Sequence, residues 1–233
     1  MGVRFHSVTF LSGDPARDAS FWGAVLGRSP RDDHGGILLP GDDTQVGLRF
    51  AVGEPHGALR NRLHLHLSRA ERRQSESIAA CVEYGARLRG NGHVPAGSYA
   101  AMADVVGDEF CVIEDDNAYL AGCGPLGEVT CEGTQATGLF WSRALAWPVV
   151  WDRGEEVAIQ APSGGTKLAW SGEPIEAGKP IDRQYFTVTA PSGDLEDEVA
   201  RLLGLGATDP VTDRSGAMTL RDPDGVPFVV RAA

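Results

Sequence analysis

The chain contains an internal repeat, and this repeat limits the folds that its 233 residues can adopt. Residues 14–27 (DPARDASFWGAVLG) place Phe21 and Trp22 at helical spacing from later apolar residues and end on a glycine, as a helix does. Phe140 and Trp141 repeat the pair in the second half of the chain, with the same apolar spacing around them. The chain is therefore expected to use one structural unit more than once.

A second pair of landmarks alternates with the first. Residues 104–107 (DVVG) precede an apolar strand in the first half, and residues 222–225 (DPDG) precede one near the end of the chain. Each unit reads as a strand, a helix and three short strands. The landmarks divide the chain into four such βαβββ modules, at about residues 1–58, 59–117, 118–176 and 180–233.

One helix and four strands cannot bury both faces of a small sheet, so the modules are expected to pair. We predict an α+β fold in which residues 1–117 form one domain of two modules and residues 118–233 form a second. Segments rich in Pro and Gly, at residues 52–62 and 172–184, join the two modules of each half. The repeats alone leave open whether modules pair within the halves or across them.

The composition excludes several classes of partner. The formal net charge is -11 and neither half of the chain is basic, which argues against binding to nucleic acid or to an anionic membrane. The four cysteines form no C-x-x-C pair, which argues against a zinc cluster or a disulfide scaffold and favours a reducing cytoplasm. No segment is apolar over a length that would cross a bilayer. We expect a cytoplasmic monomer or homodimer whose partner is a small molecule.

The βαβββ module, used in pairs, resembles the vicinal oxygen chelate superfamily, which includes glyoxalase I, the bleomycin-resistance proteins and the extradiol dioxygenases. The helix motif at residues 14–27 and the turn at residues 222–225 carry the resemblance, which extends over the whole chain as two tandem glyoxalase-like domains. It implies a concave mixed sheet in each domain. In the metal-using members, a histidine from the opening strand of a module and a glutamate from its last strand hold a divalent ion and leave positions open for substrate oxygens.

Residues 61–68 (NRLHLHLS) read as a strand with two histidines on one face. Successive side chains of a strand point to opposite faces, so His64 and His66 share a face and the leucines fill the other. Either these histidines hold a metal ion such as Zn, Fe(II), Ni or Co, or they are neutral, hydrogen-bonded residues in the wall of a cavity for a polar organic ligand. The second interpretation is preferred, so we expect no cofactor, with a divalent metal ion as the alternative.

The resemblance assigns further candidate ligands. The usual spacing of the family puts His64 at the ligand position of its module, whereas His6 lies one residue away from the equivalent position in the first module. On the last strand of the second module, Cys111 stands where the family has glutamate, and Glu109 lies two residues earlier on the same face. The metal interpretation therefore combines His64 with His66 or His6 and with one of these two last-strand residues.

The second half of the chain has no histidine and offers aromatic residues instead. Trp151 and Trp170 lie on predicted strands with Gln160 between them, and Tyr185 takes the place of His64. Strand aromatics in a concave sheet can stack on a planar ligand while polar groups set its orientation. We predict a metal-free binding site formed by these residues, in a protein similar to the bleomycin-resistance branch that binds a small hydrophobic or planar metabolite. The alternative is a metal-dependent lyase or dioxygenase with its site around His64, and no catalytic residue is assigned.

Overall fold

The computed structural model describes residues 2–53, 62–68, 72–90, 94–95, 97–172, 184–191 and 195–233. Most of the two joining segments, 52–62 and 172–184, lies outside these residues. The described part of the chain repeats the order strand, helix and three strands four times. The four predicted βαβββ modules are confirmed, and none of the described helices is long and apolar enough to cross a membrane.

The elements of the four modules are as follows. The first module has β1 (Arg4–Ser12), α1 (Pro15–Leu26), β2 (Arg31–Asp33), β3 (Gly36–Leu39) and β4 (Gly47–Val52). The second has β5 (Leu63–Leu67), α2 (Gln74–Glu83), β6 (Arg87–Leu88), β7 (Ala100–Ala103) and β8 (Glu109–Val112). The third has β9 (Leu126–Glu132), α3 (Gln135–Leu145), β10 (Val149–Arg153), β11 (Glu156–Gln160) and β12 (Lys167–Ser171). The fourth has β13 (Gln184–Ala190), α4 (Leu195–Leu205), β14 (Thr208–Thr212), β15 (Met218–Arg221) and β16 (Pro227–Ala232).

Local sequence explains where the Phe-Trp helices begin and end. Asp14 accepts a hydrogen bond from the backbone N–H of Arg17 at 3.1 Å, and Pro15 occupies the first turn, where no N–H is needed. Gly27 follows α1 in the left-handed conformation, with φ of 67°. Ala146 follows α3 in the same left-handed conformation, with φ of 55°. The helix therefore ends in the same way although the residue is not glycine.

The strands form two eight-stranded mixed sheets. Sheet A has the order β14-β15-β16-β13-β1-β4-β3-β2, and sheet B has the order β10-β11-β12-β9-β5-β8-β7-β6. In sheet A the first module joins the fourth through antiparallel β1 and β13. In sheet B the second module joins the third through antiparallel β5 and β9. The predicted α+β fold, with four modules paired in two sheets, is confirmed.

The modules that share a sheet come from opposite halves of the chain. The expectation that modules pair within residues 1–117 and within residues 118–233 therefore does not hold for the sheets. The reason lies in the repeat itself. Each sheet joins one module that has a Phe-Trp helix to one that has none, and pairing within the halves would give the same combination. Similarity between modules cannot distinguish the two arrangements.

Both Phe-Trp helices pack in a core shared by the two sheets. Trp22 of α1 donates its indole N–H to Asp104 at 3.2 Å and meets Phe110 of β8 edge-on, with ring centroids 5.1 Å apart. Trp141 of α3 donates to Asp222 at 3.4 Å in the same way. In each half of the chain, the tryptophan of the Phe-Trp helix thus contacts the aspartate of the later turn. This contact joins the two modules of each half through a helix, whereas the sheets join modules of different halves.

Each sheet has a core face, which packs on these helices, and an opposite face, here named the cup face. Trp170 of β12 and Phe186 of β13 meet across the core with ring centroids 6.3 Å apart. The three leucines of β5 belong to the same core. Because side chains alternate along a strand, His64 and His66 lie on the cup face of sheet B, as the sequence predicts.

Candidate functional site

A row of polar side chains crosses the cup face of sheet B. In the strand register, His66 of β5 pairs with Cys111 of β8 on one side and with Glu128 of β9 on the other. Glu128 pairs in turn with Lys167 of β12, and Lys167 pairs with Gln160 of β11. Residues paired across neighbouring strands point to the same face of a sheet, so these five side chains project into one cup.

Three of the cup residues lie at metal-ligating distance from one another. One ligand atom from each of His64, His66 and Cys111 falls within 4.8 Å of the other two. His64 Nε2 is 3.1 Å from Cys111 Sγ, and the rings of His64 and His66 meet edge-on with centroids 5.2 Å apart. Two imidazoles and a thiolate suit zinc and neighbouring transition metals, and three protein ligands leave a position open for a substrate.

Burial sets the protonation of the groups in this cluster. Loss of solvation, followed by the effect of His66, lowers the pKa of His64 to about 4, so its imidazole is neutral at neutral pH. Burial, followed by the charge of Glu109, raises the pKa of the Cys111 thiol to about 12. A neutral imidazole is the form that ligates a metal ion, whereas the thiol must release its proton when an ion binds.

Glu128 orients His66 within the cup. Its Oε2 lies 2.8 Å from His66 Nδ1 and accepts the hydroxyl of Thr130 at 3.0 Å, while Tyr119 donates its hydroxyl to Oε1 at 2.6 Å. Burial alone would raise the pKa of Glu128. The hydrogen bond and charge of His66 and, to a smaller extent, the hydrogen bonds from Tyr119 and Thr130 outweigh burial, so the pKa is lowered. A carboxylate that accepts from Nδ1 selects the tautomer whose Nε2 can ligate, so the donor set fits a metal ion.

The connection between β8 and β9 brings Tyr119 over the other end of the cup. Lys167 donates to the backbone carbonyl of Tyr119 and holds its Nζ 3.8 Å from the centre of the phenol ring. Trp151 of β10 contacts the same ring edge-on, with centroids 5.2 Å apart. This end of the cup therefore offers two aromatic rings and an ammonium group.

The four residues predicted to form a metal-free site do not come together in one site, although Trp170 and Tyr185 line one small cavity. Trp170 is 2% exposed and lies on the core face, against Phe186. Tyr185 belongs to β13 of sheet A, whereas Trp151 and Gln160 lie on the cup face of sheet B. The expectation required the third and fourth modules to share a sheet. It also placed Trp170 on the wrong face, since a shift of one residue along a strand reverses the direction of the side chain.

Two predicted metal ligands lie away from His64. His6 is on β1 of sheet A, where its Nε2 accepts a hydrogen bond from Arg231 at 2.7 Å. Glu109 is at the exposed end of β8 and forms an ion pair with Arg89 at 2.5 Å. The structure therefore joins His64 to His66 and Cys111 and leaves the other two candidates out.

The cup face of sheet A carries an ion-pair cluster. Asp33 of β2 pairs with Arg49 of β4 at 2.8 Å and with Arg231 of β16 at 2.9 Å. Burial alone would raise the pKa of Asp33. The hydrogen bond and charge of Arg231 and, to a smaller extent, the hydrogen bond from Arg49 outweigh burial, so the pKa is lowered. Burial, followed by the charge of Arg231, lowers the pKa of His6 to about 4. Among the described residues of sheet A, no cluster of possible metal ligands forms.

The sequence-based reasoning missed Glu128, Tyr119 and Lys167. Alternation along β9 places Glu128 and Thr130 on one face, but only the pairing of the second module with the third brings that face beside His66. Tyr119 lies in a connection between strands, where no periodicity reports a direction. Lys167 lies on a strand that is buried on both faces, so alternation gave no signal there.

Comparison with known proteins agrees with this architecture. A family model described as "Glyoxalase-like domain" matches residues 7–113 and 128–231. A putative dioxygenase from Bacillus subtilis has a TM-score of 0.61 at 15% identity, with 98% of this chain and 84% of that chain covered. Glyoxalase I from Zea mays has a TM-score of 0.61 at 15% identity, with 98% of this chain and 92% of that chain covered. At this identity the two structures show a shared fold, and a search of curated proteins by sequence gave no significant match.

Proposed function

The chain belongs to the glyoxalase-like domain family, and on this premise we propose that it is a metal-dependent member whose site is the cup of sheet B. The approach of one ligand atom each from His64, His66 and Cys111 to within 4.8 Å carries the proposal. The neutral imidazole of His64 and the bond from His66 to Glu128 support it further. The proposal replaces the sequence-based preference for a metal-free site, because Trp170 of that predicted site is buried in the core and Tyr185 lies in the other sheet.

The residues of the cup have separate roles in this proposal. His64, His66 and Cys111 would hold the ion, which would act as a Lewis acid on an oxygen of a small organic substrate. Glu128 accepts a hydrogen bond from the Nδ1–H group of His66 and thereby fixes the orientation of the imidazole ring. Tyr119 covers the cup beside these ligands and excludes water from part of it.

Cobalt binding to the full chain tests the proposal. The chain, loaded with Co(II) and desalted, should retain one ion per chain and show the near-ultraviolet band of a cobalt–thiolate bond. Cys111→Ser should remove this band, and His64→Ala should abolish stoichiometric retention. Glu128→Gln should weaken the affinity by about 10–100-fold, because it alters a partner of a ligand rather than a ligand.

Cys81 provides the matched control for the thiol. It is a buried free cysteine of α2, outside the cup, and Cys81→Ser should leave both cobalt retention and the band unchanged. A wild-type chain that retains no cobalt would contradict the proposal. A cobalt–thiolate band that survives Cys111→Ser would contradict the assignment of the ligand.

A further inference from the structure

Lys167 is a buried cation held by neutral groups. It is 9% exposed and lies on the cup face of sheet B. Its Nζ contacts the carbonyl oxygen and the ring of Tyr119. Within the described part of the chain, no carboxylate forms an ion pair with it. A buried lysine is normally paired with an opposite charge, and among the described residues even Glu128, its neighbour in the strand register, forms no ion pair with Lys167.

The acidic neighbour of Lys167 is engaged elsewhere. Glu128 stands next to it in the strand register, but its oxygens receive hydrogen bonds from His66, Thr130 and Tyr119. An ammonium group has three donors, and the carbonyl of Tyr119 accepts from Lys167. Among the described residues Lys167 has no second acceptor, which leaves donors for a molecule in the cup.

The position of Lys167 relative to the metal-ligating cluster suits a small ligand. Lys167 and His66 stand in one row, with β9 between their strands, so their backbones are about 10 Å apart. Both side chains project from the same face of the sheet, which places them at the two sides of one candidate site. Tyr119 and Trp151 form an aromatic wall beside the lysine.

We propose that Lys167 binds the carboxylate of the small molecule that occupies the cup of sheet B, so that the substrate is a carboxylic acid. This inference rests on the proposed function, since it names the substrate class of the same cup. The chain as a whole carries a net charge of -11, which repels anions, so an anionic ligand needs a local cation to bind here. An ammonium–carboxylate contact out of water is also stronger than one between neutral groups.

Lactate and lactamide are the probes that isolate the charge. Both carry a hydroxyl oxygen next to a carbonyl oxygen, and only lactate is charged. Calorimetric titration of the full chain, metal-free and loaded with cobalt, should show that lactate binds at least about tenfold more tightly than lactamide, which corresponds to one hydrogen bond to a charged group.

Substitutions assign the preference to one residue. Lys167→Met keeps most of the aliphatic stem and should abolish the preference for lactate while cobalt is still retained. Lys167→Arg keeps the charge and should preserve part of the preference. Arg87→Met is the matched control, because Arg87 is an exposed cation on β6, at the edge of the same sheet, and its loss should change nothing. Thermal melting verifies that each variant folds.

The outcomes separate this inference from the proposed function. Lactate that binds no more tightly than lactamide, or a preference that survives in Lys167→Met, overturns the inference. Cobalt retention without a charge preference overturns the inference and leaves the metal site standing. A charge preference that depends on Lys167 in a chain that retains no cobalt supports the inference and overturns the metal site. Should Lys167→Met not fold, the two wild-type titrations still test the charge preference, and Lys167→Arg tests the residue.

Discussion

Two buried aspartates show how single residues join one module of the repeat to the next. Asp104 and Asp222 each accept the indole N–H of a tryptophan with one carboxylate oxygen and the backbone N–H groups of their own turn with the other. Burial raises the pKa of Asp104 to about 6 and that of Asp222 to about 7. These carboxyl groups hold their protons more tightly in the folded chain than in the unfolded chain.

The raised pKa of Asp222 makes stability depend on pH. Its stabilising effect is fully present below the unfolded pKa of 3.8 and is lost as the pH rises through about 7. Asp222→Asn removes this titration, while the amide oxygen can still accept the N–H groups of the turn. We expect the wild-type free energy of unfolding to decline more steeply than that of the variant between about pH 4 and pH 7, in urea denaturation at a series of pH values.

Asp213 is the matched control for this titration. It lies in an exposed turn, where the hydroxyl of Ser215, followed by backbone N–H groups, lowers its pKa. The contribution of Asp213 to the free energy of unfolding therefore changes at a lower pH than that of Asp222. Asp213→Asn should leave the pH dependence of the free energy of unfolding unchanged between about pH 4 and pH 7. Parallel stability curves for the wild type and Asp222→Asn would contradict the assignment.

Alternation of side chains along a strand predicted the faces of some elements and not of others. On β5 it placed His64 and His66 together, and the spacing of the family placed Cys111 at the equivalent point of the last strand. On β12 the residues are buried on both faces, since one face packs on the core and the other lies in the cup. Alternation then gives no direction, and Trp170 was assigned to the wrong face.

An ion-pair cluster links three separate elements of sheet A. Asp33 of β2 bonds to Arg49 of β4 and to Arg231 of β16, so one carboxylate balances the buried guanidinium group of Arg49 and the half-buried one of Arg231. Asp33→Asn would leave both arginines without that charge. We expect it to lower the free energy of unfolding by about 3 kcal/mol or more, because removing one partner leaves buried charge uncompensated. Chemical denaturation measures this change.

Asp32 gives the comparison for this variant on the same strand. It is exposed and lies next to Asp33, so Asp32→Asn makes the same chemical change outside the cluster. Equal stability of the two variants would show that the cluster contributes little beyond its surface neighbours. A large loss of stability for Asp33→Asn alone would show that ion pairs stabilise the cup of sheet A, at the face equivalent to the one that carries the proposed metal ligands in sheet B.

The pairing of modules is the feature of the whole molecule that the sequence left open. The repeat predicted the number of modules, their order and their elements, because these depend on periodicity and turn residues within each module. It did not predict which modules share a sheet, because the two arrangements combine the same kinds of module. The position of the candidate site depended on that choice, since Glu128 reaches His66 only when the second module pairs with the third.

Sheet pairing across the halves predicts how the chain behaves when it is divided. In residues 1–117 alone, β1 loses its partner β13 and β5 loses its partner β9, so two central strands become open edges. Phe5 also loses its ring contacts with Trp147 of the third module and Phe186 of the fourth. We therefore expect residues 1–117 to be unfolded or self-associated, and co-expression with residues 118–233 to restore a folded complex. Circular dichroism and size-exclusion chromatography distinguish these states, and a monomeric fragment 1–117 that unfolds cooperatively would show that a half of the chain can complete its own sheet.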